Sequence, residues 1–107
     1  MSTVPEPRRV ETPRGVVLEN RALGRLELLC GGEVVSVAHY RLDGDVLVVP
    51  HVETAPAHRG NDYAAELMEG VMALVRASGG TVLPLCSWAA RYLGEHPEHA
   101  DLVHARD

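Results

Sequence analysis

Apolar and polar positions alternate in short runs through the first half of the chain and at helical spacing through the second. The runs GVVLEN (15–20) and GRLELLC (24–30) read as strands. Gly31-Gly32 is a turn signal, and EVVSVAHYRL (33–42) is the return strand. Asp43-Gly44 is a two-residue hairpin signal, because both residues tolerate the positive φ such turns need. DVLVVPHVE (45–53) follows as the next strand. This half is therefore expected to be an antiparallel meander. Leu67, Met68, Val71, Leu74 and Val75 then fall on one helical stripe, predicting a helix over 61–78. Glu66 near its start and Arg76 near its end suit the helix dipole, and Gly79-Gly80 stops it. TVLPLC (81–86) is a short strand. SWAARYLGEH (87–96) is a second, short helix with Ser87 as its expected cap, ended by Pro97. The last ten residues form a turn or short helix. Residues 1–13, with three prolines and mixed charge, read as a loose arm before a single domain over 14–107.

Strand 45–53, helix 61–78 and strand 81–86 make a β-α-β unit, whose strands should be parallel and joined right-handedly. Val46 to Val49 are apolar on both faces, the mark of an internal strand covered on both sides. Yet Pro50 interrupts that strand and Pro84 interrupts its expected neighbour. Proline has no amide hydrogen for a ladder, so a strand holds it only at a bulge or where a neighbour has left. The two strands are therefore expected to splay near their C-terminal ends. A slot opens there, with unpaired backbone groups on its walls and the free amides of a helix N-terminus at its mouth.

Composition narrows the classes. The chain has 107 residues, enough for one domain. Apolar residues make up 46%, with no Phe and one Trp, so the core must be built from Val, Leu, Ala and Met. The formal charge is −5 and all ten basic residues are arginines, which argues against a nucleic-acid binder. Two cysteines far apart, with no secretory apolar segment before them, predict a reducing, cytoplasmic setting. No apolar run approaches the ~20 residues a membrane-spanning helix needs.

The order of these elements carries a resemblance. A meander, a strand with an expected bulge, Arg59 to Ala64 at a helix start and a splayed strand resemble the Gcn5-related N-acetyltransferase superfamily, whose phosphate loop reads Q/R-x-x-G-x-G/A. Here Arg59 and Ala64 match, and Asp62 stands where the first required glycine would be. The run from Val82 to Val103 is more specific. Pro84, Cys86, Tyr92-Leu93, His96-Pro97-Glu98 and Asp101-Leu102 stand in the order seen in the small single-domain branch of bacteria and plants. The likeness spans residues 16–103. It implies an α/β (α+β) fold with a mixed sheet, and acetyl-coenzyme A as cosubstrate. It implies transfer of the acetyl group to a primary amine, on a protein lysine or a small polyamine. Carried over by position, Arg59, Gly60, Asn61, Asp62, Tyr63 and Ala64 would hold the pyrophosphate. Val49, His51 and Val52 would meet the pantetheine arm and acetyl carbonyl. The amine would attack the thioester directly, with a backbone amide stabilising the oxyanion.

Each candidate side chain has an ordinary reading beside the chemical one. Asp62 either repels pyrophosphate and caps the helix itself, or turns outward and leaves the amides free. The first case gives a degenerate member with an interaction role. Cys86, at a strand end before a helix, is a candidate nucleophile or proton donor, or a small buried hydrophobe. Glu53 and His51 share a strand face and can each take a proton from an ammonium, or simply face water. Tyr92 is a core anchor or a proton donor to the leaving thiolate. Trp88 belongs to the core or to the slot wall. His96, His99 and His104 are split by Pro97, which argues against a metal site; His96 is expected to cap its helix end.

Overall fold

The computed structural model describes residues 7–104. Its strands are β1 (Arg9–Glu11), β2 (Val16–Asn20), β3 (Arg25–Cys30), β4 (Glu33–Asp43), β5 (Val46–Thr54) and β6 (Thr81–Pro84). The helices are α1 (Tyr63–Ser78) and α2 (Ser87–Gly94), with 3-10 turns at Pro56–His58 and Pro97–Leu102. The strands form one sheet in chain order, antiparallel throughout except for the parallel pair β5 and β6. This is the expected meander followed by β-α-β.

Three expectations need correction. Arg9–Glu11 is not part of a loose arm; it is the edge strand, pairing with Val16–Leu18. Thr12 and Arg14 are also tied down, because Thr12 Oγ1, the Arg14 amide and Arg14 Nε all donate to the buried Glu66 carboxylate on α1. Residues 1–6 lie outside the described residues. Ser87 is the first residue of α2 rather than its cap; Cys86 holds the cap position, with no side-chain bond. Finally, β5 is internal and buried on both faces from Leu47 to Val49, but the helices that pack on it lie on one side. Val17, Leu26, Leu28, Ala38, Leu47 and Val49 share one core with Met68, Val71, Met72 and Val75 of α1 and Ala89 and Leu93 of α2. The register turns Arg25, Val37, His39, Arg41, Val48, His51 and Glu53 to the opposite face.

Both prolines in the parallel pair have structural consequences. His39 pairs with His51 and Arg41 with Val48, so the two residues Val49 and Pro50 lie against the single Tyr40. Pro50 therefore sits in a bulge, where its missing amide costs no ladder bond. The β5–β6 ladder runs from Val46↔Thr81 to Val49↔Pro84 and stops. The amides of Leu85 and Cys86 both donate to the Val49 carbonyl, at 2.9 and 3.1 Å, and the chain then turns into α2. β5 continues to Thr54, paired with β4 alone.

Candidate active site

α1 starts beside the end of β5, at the open end of this gap. Its N-cap residue, Asp62, has φ 58° and ψ 27°, and among the described residues it is the non-glycine residue with positive φ. A left-handed backbone at a side chain bearing a Cβ costs about 1 kcal/mol relative to the right-handed form. Aspartate is among the residues that tolerate it best. Asp62 thus keeps the conformation a glycine would supply. Its carboxylate does not cap the helix, and neither does Asn61, whose side-chain amide donates to the His58 carbonyl at 3.1 Å. The Asp62 carbonyl accepts from the Glu66 amide at 3.2 Å. Among the described residues no side chain is shown bonded to the amides of the first turn, which is where a helix meets an anion.

A small cavity of about 190 Å³ opens at this turn. Arg59, Gly60, Asp62, Tyr63 and Ala64 line it, with Thr54 from β5 and Trp88 from α2 on its walls. Five of the six positions assigned to pyrophosphate thus share one hollow. Asn61 is in the same loop but faces elsewhere; its carbonyl accepts from Arg14 at 2.8 Å. Arg14 also stacks over the Tyr63 ring, 4.3 Å from its centroid. Of the positions assigned to the pantetheine arm, Val49 is at the last rung of the ladder, and Val52 packs on the core side. His51 points to the opposite face.

Cys86 is half-buried, directly after the point where β6 leaves β5, and is a free thiol like Cys30. It therefore stands at the closed end of the gap. Glu53 and His51 do lie together, on the helix-free face, with His51 Nε2 at 3.2 Å from Glu53 Oε2. The Glu53 carboxyl is held below the usual range, first by its hydrogen bond to His51 and then by that to His39. His39 was not singled out by the sequence. An unbulged hairpin about Asp43-Gly44 would set His39 against Pro50; the extra residue brings His51 opposite it instead.

Tyr92 does not fit the role of proton donor. Its hydroxyl donates to Glu69 of α1 through a very short bond. Burial first, and then this carboxylate, push its pKa well above the ordinary phenol value. His99 also donates to Glu69, at 2.9 Å, and His96 Nδ1 donates to the Tyr92 carbonyl at 2.6 Å. Trp88, Tyr92 and His96 stack along α2, with ring centroids 5.3 and 3.9 Å apart. This cluster fastens α2 and the C-terminal turn to α1, and His96 ends its helix as expected. Donor atoms of Glu69, Glu98 and His99 approach within 4.8 Å of one another, but His99 Nε2 is engaged with Glu69.

Comparison with known proteins identifies the family and the fold. Residues 25–102 match the family model described as GCN5-related N-acetyl-transferase. A GCN5-like protein from Staphylococcus aureus, solved by solution NMR, superposes with a TM-score of 0.59 at 15% identity. The match covers 78% of this chain and 84% of that one, and at this identity it speaks to the fold alone. No curated protein matches the sequence. The family match spans most of the chain and includes β5, the loop, α1 and the Cys86 turn, so the chain belongs to the GCN5-related N-acetyltransferase family, a family of acyltransferases.

Proposed function

We propose that this protein is an acetyl-CoA-dependent N-acetyltransferase of the cytoplasm that acts on a primary amine, carried by a protein lysine or a small polyamine. One observation supports this reading most: the β5–β6 ladder stops at Val49 and Pro84 at the same end of the sheet where α1 begins without a side-chain cap. An extended thioester arm needs unpaired strand backbone, and its pyrophosphate needs free amides. The chain offers both, about one loop apart. The fit extends to charge. Asp62 and Arg59, one negative and one positive, both line the loop cavity. The uncapped turn weighs against the alternative of a degenerate interaction protein, because that reading requires Asp62 to occupy the amides itself.

The cosubstrate supplies an activated thioester carbonyl. The chain's own contribution is to orient it and to hold the amine. Arg59 to Ala64 offer backbone amides to phosphate oxygens. The backbone of β5 past Val49, which has no β6 partner, would meet the carbonyl oxygen as it gains charge. Glu53 and His51 accept the proton that the ammonium must lose before it attacks. Cys86, where β6 leaves β5, would stand near the leaving sulfur and pack there without carrying the acetyl group. Glu53 and His51 are exposed and His39 is half-buried on the helix-free face, which suits a lysine on a protein surface or a flexible polyamine. The test is amine-dependent release of free coenzyme A from acetyl-CoA, with the acetylated product identified by mass spectrometry. Release that does not depend on added lysine peptide or polyamine would refute the assignment.

A further inference from the structure

The most organised group of titratable side chains on the helix-free face is His39, Glu53 and His51. His39 Nε2 lies 3.5 Å from Glu53 Oε1, and His51 Nε2 lies 3.2 Å from Glu53 Oε2. The two imidazoles thus take one carboxylate oxygen each. Their rings are 5.6 Å apart at a 33° tilt, close enough to share the carboxylate without touching. The group rests on β4 and β5, beside the Pro50 bulge. Glu53 also forms one wall of a cleft of about 460 Å³, with Val34 and Val37, Pro56, and the arginines Arg25 and Arg59. Arg25 pairs with Glu27 at 2.6 Å, so its charge is balanced within β3. The other charged groups on this side are Arg41, beside Val48, and Arg59 from the loop before α1.

We propose that Glu53 is the carboxylate that docks the substrate ammonium, and that His39 and His51 gate it together, admitting a cationic amine only when both imidazoles are neutral. This rests on the acetyltransferase reading. The reasoning is electrostatic. When both imidazoles are protonated, they donate to both Glu53 oxygens and cancel its charge, so an incoming ammonium finds no anion. When both are neutral, the carboxylate keeps its negative charge for the ammonium, and His51 can take the proton that the ammonium loses. The amine nitrogen then bonds to the thioester carbon, and the carbon–sulfur bond breaks. One ammonium proton passes through imidazole to water. The second, lost from nitrogen after attack, balances the thiolate as the thiol. His39 is a positioning residue, since it acts through Glu53.

Two measurements test this. The first needs no turnover: the Glu53 carboxyl is titrated by NMR in the wild type and in His39→Gln and His51→Gln. Each substitution should raise its pKa toward the ordinary glutamate value, because each removes a cation and a hydrogen bond that hold it down. The second is the pH profile of kcat/KM for the amine. Each required deprotonation adds one to the slope of log(kcat/KM) on the acid limb. The slope should fall by one between the wild type and His39→Gln, while affinity for acetyl-CoA stays the same. A residue that merely supported the fold would lower the whole profile without changing its slope. An unchanged Glu53 titration, or an unchanged acid limb, in His39→Gln would overturn the gate and leave the acetyltransferase reading standing. A wild-type protein that does not bind acetyl-CoA would overturn both.

Discussion

The two ends of α1 adopt nearly the same backbone turn and use it differently. At the C-terminal end Gly79 has φ 76° and ψ 13°. The Gly79 amide donates to the Arg76 carbonyl and the Gly80 amide to the Val75 carbonyl, both at 3.3 Å. That pair of bonds closes the helix on the Val75 and Arg76 carbonyls. Arg76 adds a double hydrogen bond to Asp101. At the N-terminal end Asp62 takes φ 58° and ψ 27°, yet no side chain closes the first turn. One end is finished by the protein. The other is held in a turn that glycine would hold more cheaply, and its amides are left for something else. A helix that needed both ends only for stability would have been capped by Asp62 or Asn61, both well suited to the task.

This comparison can be pressed by substitution, provided the sheet stays folded. Acid sets that limit and is the largest effect expected. Burial alone would raise the Glu19 pKa. The Tyr40 hydroxyl, the Arg8 amide and Arg21 outweigh it and bring the carboxyl to about 2, from an ordinary value of 4.5. A lowered folded-state pKa means stability that is complete above the ordinary glutamate range and is lost as pH falls toward 2. The contribution at neutral pH is about 3 kcal/mol, of which about 2 is gone by pH 3. The stability gap between wild type and Glu19→Gln, measured by urea unfolding, should narrow by that amount between pH 7 and pH 3. An equal gap at both values would mean that Glu19 is not held as an anion.

At the finished end, Gly79→Ala forces a Cβ into the left-handed region and should cost about 1 kcal/mol of stability with no effect on coenzyme affinity. At the open end, Asp62→Gly exchanges relieved backbone strain for greater freedom of the unfolded chain, so stability should change by no more than about 0.5 kcal/mol. Its effect should appear in binding. Removing one negative charge beside the pyrophosphate is worth on the order of 1 kcal/mol near a surface, about fivefold in affinity. Equal effects of the two substitutions on affinity would erase the difference between the two ends. The smallest effect concerns Cys86→Ser. With direct attack by the amine, turnover should stay within a small factor of wild type, and acetyl-CoA alone should leave no acetylated Cys86 by mass spectrometry.

The meander was legible because its turns are written in glycine: Gly31-Gly32 and Asp43-Gly44 fall where the chain reverses. The gap between β5 and β6 was legible from Pro50 and Pro84, since a missing amide has few places to go. β1 was not legible, because three residues among prolines and charges show no alternation long enough to read. Nor was the partnership of His39 with His51, which depends on one extra residue in a bulge and so on register rather than composition. Tyr92 read first as a core anchor and second as a proton donor. Only the rotation of α2 against α1 sets its hydroxyl on Glu69. Side chains whose role depends on how two elements face each other are hidden from a one-dimensional reading.

The proposed function has the gap after Val49 and the open first turn of α1 together receive acetyl-CoA. The most direct measurement is an isothermal titration of the folded protein with acetyl-CoA at neutral pH, repeated with Asp62→Gly. The account predicts saturable binding at one site per chain, tightened about fivefold by the glycine. No binding by either protein, with both shown to be folded by circular dichroism, would contradict it.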